Sequence, residues 1–227
     1  MSGLSRALFA CLAAALITYL AYDIRLASMR TNGNVLQNYD TQFNYRATEY
    51  LVDRGWDAFH NWYDDEVWYP HGRPTNSTMY PGMQYAAAFV YRTLNASGHA
   101  WSLEGVCCYI SAWLAPVSAL FTAGIAYEAA GGSLAAFAAA GFFMAIVPGH
   151  IIRSSAGGFD NEHVAIPAMC GVFFFWIRAI RPRNCSWFRD AILAGFCQVC
   201  IAWTWGGYII TPNIIGLSVL MTALHGK

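Results

Sequence analysis

The chain has little charge and no excess of either sign. Only 11% of its 227 residues are charged, and 13 acidic side chains balance 13 basic ones. Soluble domains run near about 25% charged, so this is not the composition of an ordinary soluble enzyme. Zero formal net charge also removes the basic footprint that nucleic-acid binding requires. A disulfide framework is missing. The 7 cysteines are odd in number, and Cys11, Cys170, Cys197 and Cys200 sit in apolar segments, where a thiol behaves as a small hydrophobe. Adjacent Cys107 and Cys108 cannot readily bridge each other. The Cys197-x-x-Cys200 pair has no second pair and no βαβ context to make it a zinc or redox site. The histidines at 60, 71, 99, 150 and 225 show no metal-ligand spacing. His163 adjoins Glu162 as a zinc-ligand candidate, but is expected to face the aqueous edge of a membrane span.

What the chain does have is apolar length. Hydrophobic residues make up 57% of it and aromatic residues 16%, which suits belts at membrane interfaces. Six apolar segments stand out, at about Ala7–Tyr22, Leu103–Tyr127, Leu134–Val147, Val164–Ile180, Phe188–Trp205 and Tyr208–Leu224. Most lie near the roughly 20 residues that cross a bilayer. Backbone groups in lipid must pair within their own segment, so the expected fold is all-α: a polytopic transmembrane bundle of about six spans. The first segment shows no small-x-small cleavage site and reads as an uncleaved helix rather than a signal peptide. The third is short, and its helix is expected to extend beyond those limits.

Arg178, Arg181, Arg183 and Arg189 flank the hinge between the fourth and fifth segments. The positive-inside rule puts that hinge in the cytosol. Counting back, residues 23–102 form a long lumenal first loop and residues 149–163 a second lumenal loop. The chain otherwise forms one membrane domain, 1–227. The first loop is rich in Trp and Tyr, which disordered segments lack. Helical patterns at Ala47–Asp53 and Met83–Thr93 predict short helices lying on the membrane surface. Asn76 and Asn95 open lumenal N-glycosylation sequons; the sequon at Asn184 falls on the cytosolic side. Asp64-Asp65-Glu66 is read as a solvated acidic turn, with Asp64 dispensable, although three acids in a row also offer a metal.

The second loop carries Asp160-Asn161-Glu162 after Arg153. A carboxylate within a span costs about 2.5–3.5 kcal/mol. A pair kept at the water edge suits a hard cation, a proton or a cationic ligand; the same run also reads as a solvated loop capping a helix. Asp40, in the first loop, falls on the same face. Three carboxylates from two loops are hard oxygen ligands for Mg²⁺ or Mn²⁺, and such a cation neutralises a phosphate leaving group. Arg153 beside them can pair with a phosphate or orient a carboxylate. Taken singly the bland alternatives hold: Asp40 pairs with Arg46 or caps a helix, and Arg153 anchors at the interface.

Several stretches together resemble the catalytic subunit of oligosaccharyltransferase. They are DTQFNYR at 40–46, NWYDDEVWYP at 61–70, YPG at 80–82, AIVPG at 145–149, RS at 153–154, DNE at 160–162 and WGGY at 205–208. They occur in the family's order from Asp40 onward. The resemblance implies a multi-pass endoplasmic reticulum membrane enzyme. Such an enzyme moves a glycan from dolichyl diphosphate to asparagine in Asn-x-Ser/Thr of an acceptor polypeptide, beside membrane lipid and other oligosaccharyltransferase subunits. It implies that Asp40 touches both the metal and the acceptor amide, that Asp160 and Glu162 bind Mn²⁺ or Mg²⁺, and that Arg153 supports activity. Asn38 stands where the family usually has a further acid. The family's later loop with a second catalytic glutamate, its dolichyl-phosphate arginine and its soluble acceptor-binding domain have no counterpart here. The chain is therefore expected to be an N-terminal fragment or truncated product, inactive alone. A non-catalytic truncated paralogue and a transporter bundle are the competing readings. A transporter would carry its charges at the midplane in broken helices, whereas these acids lie at span ends.

Overall fold

A computed structural model describes residues 3–37, 39–181 and 185–225. Arg183, Asn184 and Asn38 lie outside the described residues. The molecule is an all-α bundle with a small extramembrane layer at one end. All six apolar segments become helices: α1 (Gly3–Arg25), α6 (Leu103–Ala129), α7 (Leu134–Ile146), α9 (Glu162–Ala179), α10 (Trp187–Thr204) and α11 (Ile210–Leu224). Between α1 and α6 lie α2 (Ala27–Asn32), α3 (Tyr39–His60), α4 (Thr75–Thr78) and α5 (Gly82–Ala96); α8 (Pro148–Ile152) follows α7. Among the described residues three stretches are long and apolar enough to cross a membrane alone: Gly3–Asn32, Leu103–Ala129 and Gly206–Leu224.

The helix α6 is the hub. In its most apolar window 61% of residues are buried, against 6% in the α11 stretch, so α6 forms the interior and α11 faces outward. Lipid offers no hydrophobic drive between helices, and small residues that let backbones approach supply the packing instead. Ser111, Ala112, Ala115, Ser118, Ala119 and Ala123 are all buried on α6. A Cβ on Gly124 would stand 2.6 Å from the Phe174 ring of α9. Ser102 starts α6, its Oγ accepting the Gly105 N–H at 3.0 Å, and Ser133 caps α7 in the same way at 3.3 Å.

The short third segment does not extend as expected. The 13 residues of α7 rise only about 20 Å at 1.5 Å each, less than the hydrocarbon core. Val147 is extended before Pro148, because a proline ring excludes the helical conformation from the residue before it. The chain turns there into α8 and the second loop.

Helix alternation gathers α2–α5, the 149–163 loop and the C-terminal end of α10 at one end of the bundle. The opposite end collects Arg6, which bonds the Gly132 carbonyl of the α6–α7 turn, and Arg181, which pairs with Glu128. The first-loop helices are longer than the patterns predicted. The α3 helix covers 22 residues, broken at Gly55, whose φ of 82° only glycine adopts readily. Its Ala47, Thr48 and Leu51 are buried, and Ala47 and Leu51 pack with Phe59 and Ala88 in one apolar cluster. Complete burial of a side chain such as Phe or Met is worth about 1.5–3 kcal/mol, enough for so small a layer to hold together. A two-residue hairpin, β1 (Tyr63–Asp64) with β2 (Arg73–Pro74), joins α3 to α4.

Candidate acidic site at one end of the bundle

The acids at 160–162 sit on a loop whose backbone is tied from several sides. The Ala156 N–H donates to the Arg25 carbonyl at 3.0 Å, and the Gly157 N–H to the Cys108 carbonyl of α6 at 2.8 Å. The Gly157 carbonyl accepts the Gln37 N–H at 2.8 Å, and the Phe159 carbonyl accepts the Asn44 amide of α3 at 3.2 Å. Gln84 of α5 in turn donates to Asn44 Oδ1 at 3.1 Å. Gly157 holds a φ of +85°, and a Cβ there would stand 2.7 Å from the Val35 carbonyl. Only glycine threads this position.

Behind the loop lies a buried cation that sequence reasoning missed. Arg25, the last residue of α1, is fully buried. Its Nε donates to Ser154 Oγ at 2.9 Å, its Nη2 meets His150 Nδ1 at 2.7 Å, and its Nη1 bonds the Ala145 carbonyl. These acceptors come from the end of α7, from α8 and from the loop, so one guanidinium fixes how the loop leaves the bundle. Burial, with Arg25 beside it, pushes the His150 pKa down to about 4, so His150 accepts as a neutral ring. A basic residue at the end of a helix is an ordinary sequence feature, and nothing in the local sequence marks this one as buried.

On this support Asp40, Arg153, Asp160 and Glu162 line a single cavity of about 270 Å³, together with Thr41 and His163. Asp40 enters from the first turn of α3 and is exposed. Asp160 Oδ1 accepts the Asn161 N–H at 2.7 Å. Glu162, just before the fourth apolar segment, is 21% exposed and faces Arg153 Nη1 at 3.4 Å. Burial and then the neighbouring Asp160 hold the Glu162 carboxyl above its usual range, because both disfavour its charged form.

His163 does not face the aqueous edge. It is 4% exposed, and its Nδ1 accepts the Asp160 N–H at 2.9 Å. Burial pushes its pKa down to about 4, so the ring is neutral and that nitrogen is occupied. It orients the Asp160 backbone. Arg46 does not pair with Asp40; it bonds Asp64 and Glu66, at 3.0 Å each. Asp64 is fully buried, so the 64–66 run is solvated only at Asp65 and Glu66. Arg46 draws its first carboxylate inward, against the layer's own helices. Asn95 spends its amide N–H groups on the Tyr91 and Trp101 carbonyls, at 3.0 and 3.2 Å. The Asn76 side chain lies outside the described residues.

The residues at the cavity suit a hard cation in kind. Carboxylates from two distant segments converge on it, and Asp160 crowds Glu162 closely enough to raise its carboxyl. Among the described residues no three acidic, histidine or cysteine side chains already stand in ligating geometry.

Fold and cavity together define a helical membrane protein with an acidic cavity at one end of its bundle. Residues 8–227 match the family model described as oligosaccharyl transferase STT3, N-terminal, and the chain belongs to that family. It is 37% identical over 211 residues to the dolichyl-diphosphooligosaccharide–protein glycosyltransferase subunit STT3 of Dictyostelium discoideum, across 93% of this chain and 29% of that one. It is 38% identical over 208 residues to the Saccharomyces cerevisiae subunit of the same name, across 91% and 28%. The chain thus spans under a third of the length of these relatives. In fold it is similar to the archaeal oligosaccharyltransferase AglB of Archaeoglobus fulgidus, in complex with an inhibitory peptide and a dolichol-phosphate. That match has a TM-score of 0.72 at 18% identity and covers 96% of this chain and 26% of that one.

Proposed function

We propose that this chain supplies the first-loop aspartate and the second acidic motif of an oligosaccharyltransferase catalytic subunit. Such a subunit transfers a glycan from dolichyl diphosphate to the asparagine of Asn-x-Ser/Thr in an acceptor polypeptide. The observation that carries the reading is the convergence of Asp40 with Asp160 and Glu162, 120 residues apart in sequence, on one cavity. The amide nitrogen of asparagine is a poor nucleophile. Asp40, exposed at the rim, is the group that accepts an N–H of the acceptor amide and loosens its conjugation. Asp160 and Glu162, with Asp40, would hold Mn²⁺ or Mg²⁺, and such a cation would supply charge neutralisation at a diphosphate leaving group. Arg153, exposed beside Glu162, pairs with phosphate oxygens through its planar fork. His163 keeps the Asp160 backbone in place. In this reading the acidic end is lumenal, the arginine-rich end is cytosolic, the membrane is that of the endoplasmic reticulum, and further oligosaccharyltransferase subunits assemble around the bundle.

The test is a chimera in which this chain replaces the matching N-terminal part of the Saccharomyces cerevisiae relative. Transfer of a lipid-linked glycan to a fluorescent Asn-x-Thr peptide is measured with Mn²⁺ present. Transfer by the chimera that is abolished by Asp160→Ala supports the reading. Transfer that survives both Asp40→Ala and Asp160→Ala would sink it.

A further inference from the structure

The segment that carries Asp40 and the loop that carries Asp160 and Glu162 are joined along a seam of hydrogen bonds. From its outer end inward, the Asn44 amide donates to the Phe159 carbonyl at 3.2 Å. The Gln37 N–H then donates to the Gly157 carbonyl at 2.8 Å, and the Ala156 N–H to the Arg25 carbonyl at 3.0 Å. Arg25 is the inner end of this seam, and its side chain grips the loop a second time. The guanidinium bonds Ser154 Oγ, His150 Nδ1 and the Ala145 carbonyl. One residue in the last turn of α1 thus holds the chain between 145 and 156 at four points. That turn is firmly seated: Ile17 and Ala21 of α1 share an apolar cluster with Ala119 of α6 and Ala145 of α7.

Stability alone is a poor reason to keep a cation there. Arg25 is fully buried, and the groups that meet its guanidinium are a hydroxyl, a ring nitrogen and a carbonyl rather than a carboxylate. A buried charge is costly unless it is paired, and apolar residues of similar volume often replace buried ionic groups without loss of stability. What a guanidinium supplies is geometry. Its donors form a rigid planar fork, and this fork fixes the end of α7, α8 and the loop in one arrangement. Ser154 shows the consequence. Its hydroxyl accepts from Arg25 and donates to the His150 carbonyl at 2.5 Å, so it is turned inward and buried. Its neighbour Arg153 is turned outward, exposed and facing Glu162. Ser154, His150, Arg153, Glu162 and His163 border one narrow gap that adjoins the acidic cavity, so a shift of Ser154 passes directly to the site.

We infer that Arg25 is a positioning residue for the acidic site: without touching substrate or metal, it fixes Arg153 and the Asp160–Glu162 run relative to Asp40. The inference rests on the reading of that site as a metal-dependent centre of glycan transfer. Residues that orient metal ligands from behind change metal affinity or activity by about 10- to 100-fold when altered. Lysine in place of Arg25 keeps the charge but loses the fork, and one ammonium on a flexible stem does not hold all three acceptors in register. Ser154→Ala removes the acceptor of Arg25 Nε and leaves the other two bonds of the guanidinium. Its effect has the same direction and is smaller. Arg30, a little further along the chain, pairs with Asp23 at the surface, and Arg30→Lys is the control.

Mn²⁺ binding to the full chain in nanodiscs is titrated by electron paramagnetic resonance, and glycan transfer is measured in the chimera as kcat and KM for the acceptor peptide. Thermal melting gives the folded fraction of each variant, and rates are expressed per folded molecule. Arg25→Lys should weaken Mn²⁺ binding and lower kcat, each by about 10- to 100-fold, with the KM for the peptide unchanged. Ser154→Ala should move both the same way by about two- to tenfold, the weight of one hydrogen bond, and Arg30→Lys should move neither. Parental Mn²⁺ affinity and kcat in Arg25→Lys overturn the inference. A loss confined to the folded fraction overturns it as well, because Arg25 would then serve the fold alone. Should Arg25→Lys fail to fold, Ser154→Ala decides, and unchanged Mn²⁺ affinity and kcat there overturn the inference. Asp160→Ala tells this failure from failure of the site. If it abolishes Mn²⁺ binding and transfer while Arg25→Lys alters neither, only the role of Arg25 falls. If Asp160→Ala alters neither, the acidic site falls and the role of Arg25 falls with it.

Discussion

Two groups of three carboxylates lie at the same end of this molecule, and they are put to opposite uses. In the run 64–66, Arg46 bonds both Asp64 and Glu66 at 3.0 Å, and Asp64 Oδ1 also accepts the Glu66 N–H at 3.1 Å. Arg73 adds a further cation near Asp64, stacked between Phe43 and Trp68 at 4.5 and 4.8 Å. Asp40, Asp160 and Glu162 have one arginine, and it reaches only Glu162. In the first group Asp64 is drawn inward against Arg46, while Asp65 and Glu66 stay exposed beside it. The second is left short of positive charge and open to a cavity. A run of three acids is therefore a poor guide to a cation site; what matters is the charge the fold brings to meet them.

The sharpest way to break this contrast is to remove the neutralising partner of the arginine-paired group. Arg46→Ala leaves Asp64 buried with only the Glu66 N–H and the nearby Arg73. Breaking a buried pair costs about 3–5 kcal/mol. Arg46 is 35% exposed, which puts the expected loss near the lower end, about 3 kcal/mol. Thermal unfolding of the chain in detergent checks it: a melting temperature within error of the parent would mean that Asp64 does not rely on Arg46. At the open group the effect should reverse. Asp160→Asn in the chimera should lower glycan transfer by about 100-fold or more, the usual scale for a displaced catalytic constellation, with melting almost unchanged. A variant that unfolds while its remaining molecules turn over normally would make Asp160 structural, like Asp64.

Much of this was legible in the sequence. Apolar runs located the six long helices within a few residues, because length and hydropathy alone decide what crosses lipid. The arginines around 178–189 and the acids at 40 and 160–162 fell at opposite ends for the same reason. The failures have one physical source: burial of polar groups set by contacts distant in sequence. Asp64 read as solvated because its neutraliser is 18 residues away on another element. Arg25 carries no local signal beyond its place at a helix end, because its acceptors lie 120 to 129 residues onward. His163 looked free because its bond to the Asp160 N–H exists only once the 155–161 loop has folded. Just after α7, Pro148 carries a stop signal that outranks apolar composition.

Metal titration sharpens the comparison at a smaller scale. A ligand at 100 times its dissociation constant stabilises a fold by about 2.7 kcal/mol, and half-saturating Mn²⁺ by much less. Mn²⁺ should raise the melting temperature of the parent chain measurably. The increment should vanish in Asp160→Asn and persist in Asp65→Asn, which alters the arginine-paired group at one of its two exposed members. An increment that survives in Asp160→Asn but is lost in Asp65→Asn would exchange the roles of the two groups.

The smallest effect on stability belongs to Arg153, and its sign is the informative part. Arg153 and Glu162 form an open pair at 3.4 Å, 58% and 21% exposed. Exposed pairs are worth about 0.2–1 kcal/mol, so Arg153→Ala should move the melting temperature little. Yet the guanidinium is the one cation beside an acid group that is proposed to take a metal, and removing it leaves Glu162 free to ligate. Mn²⁺ should therefore bind Arg153→Ala more tightly than the parent, and the difference should shrink as salt screens the site. Glycan transfer should fall all the same, because the phosphate loses its partner. Tighter Mn²⁺ with weaker transfer separates an arginine that serves the substrate from one that serves the fold. Weaker Mn²⁺ binding in Arg153→Ala would mean that the arginine holds Glu162 in place for the metal, and the open group would then resemble the arginine-paired one more than its geometry indicates.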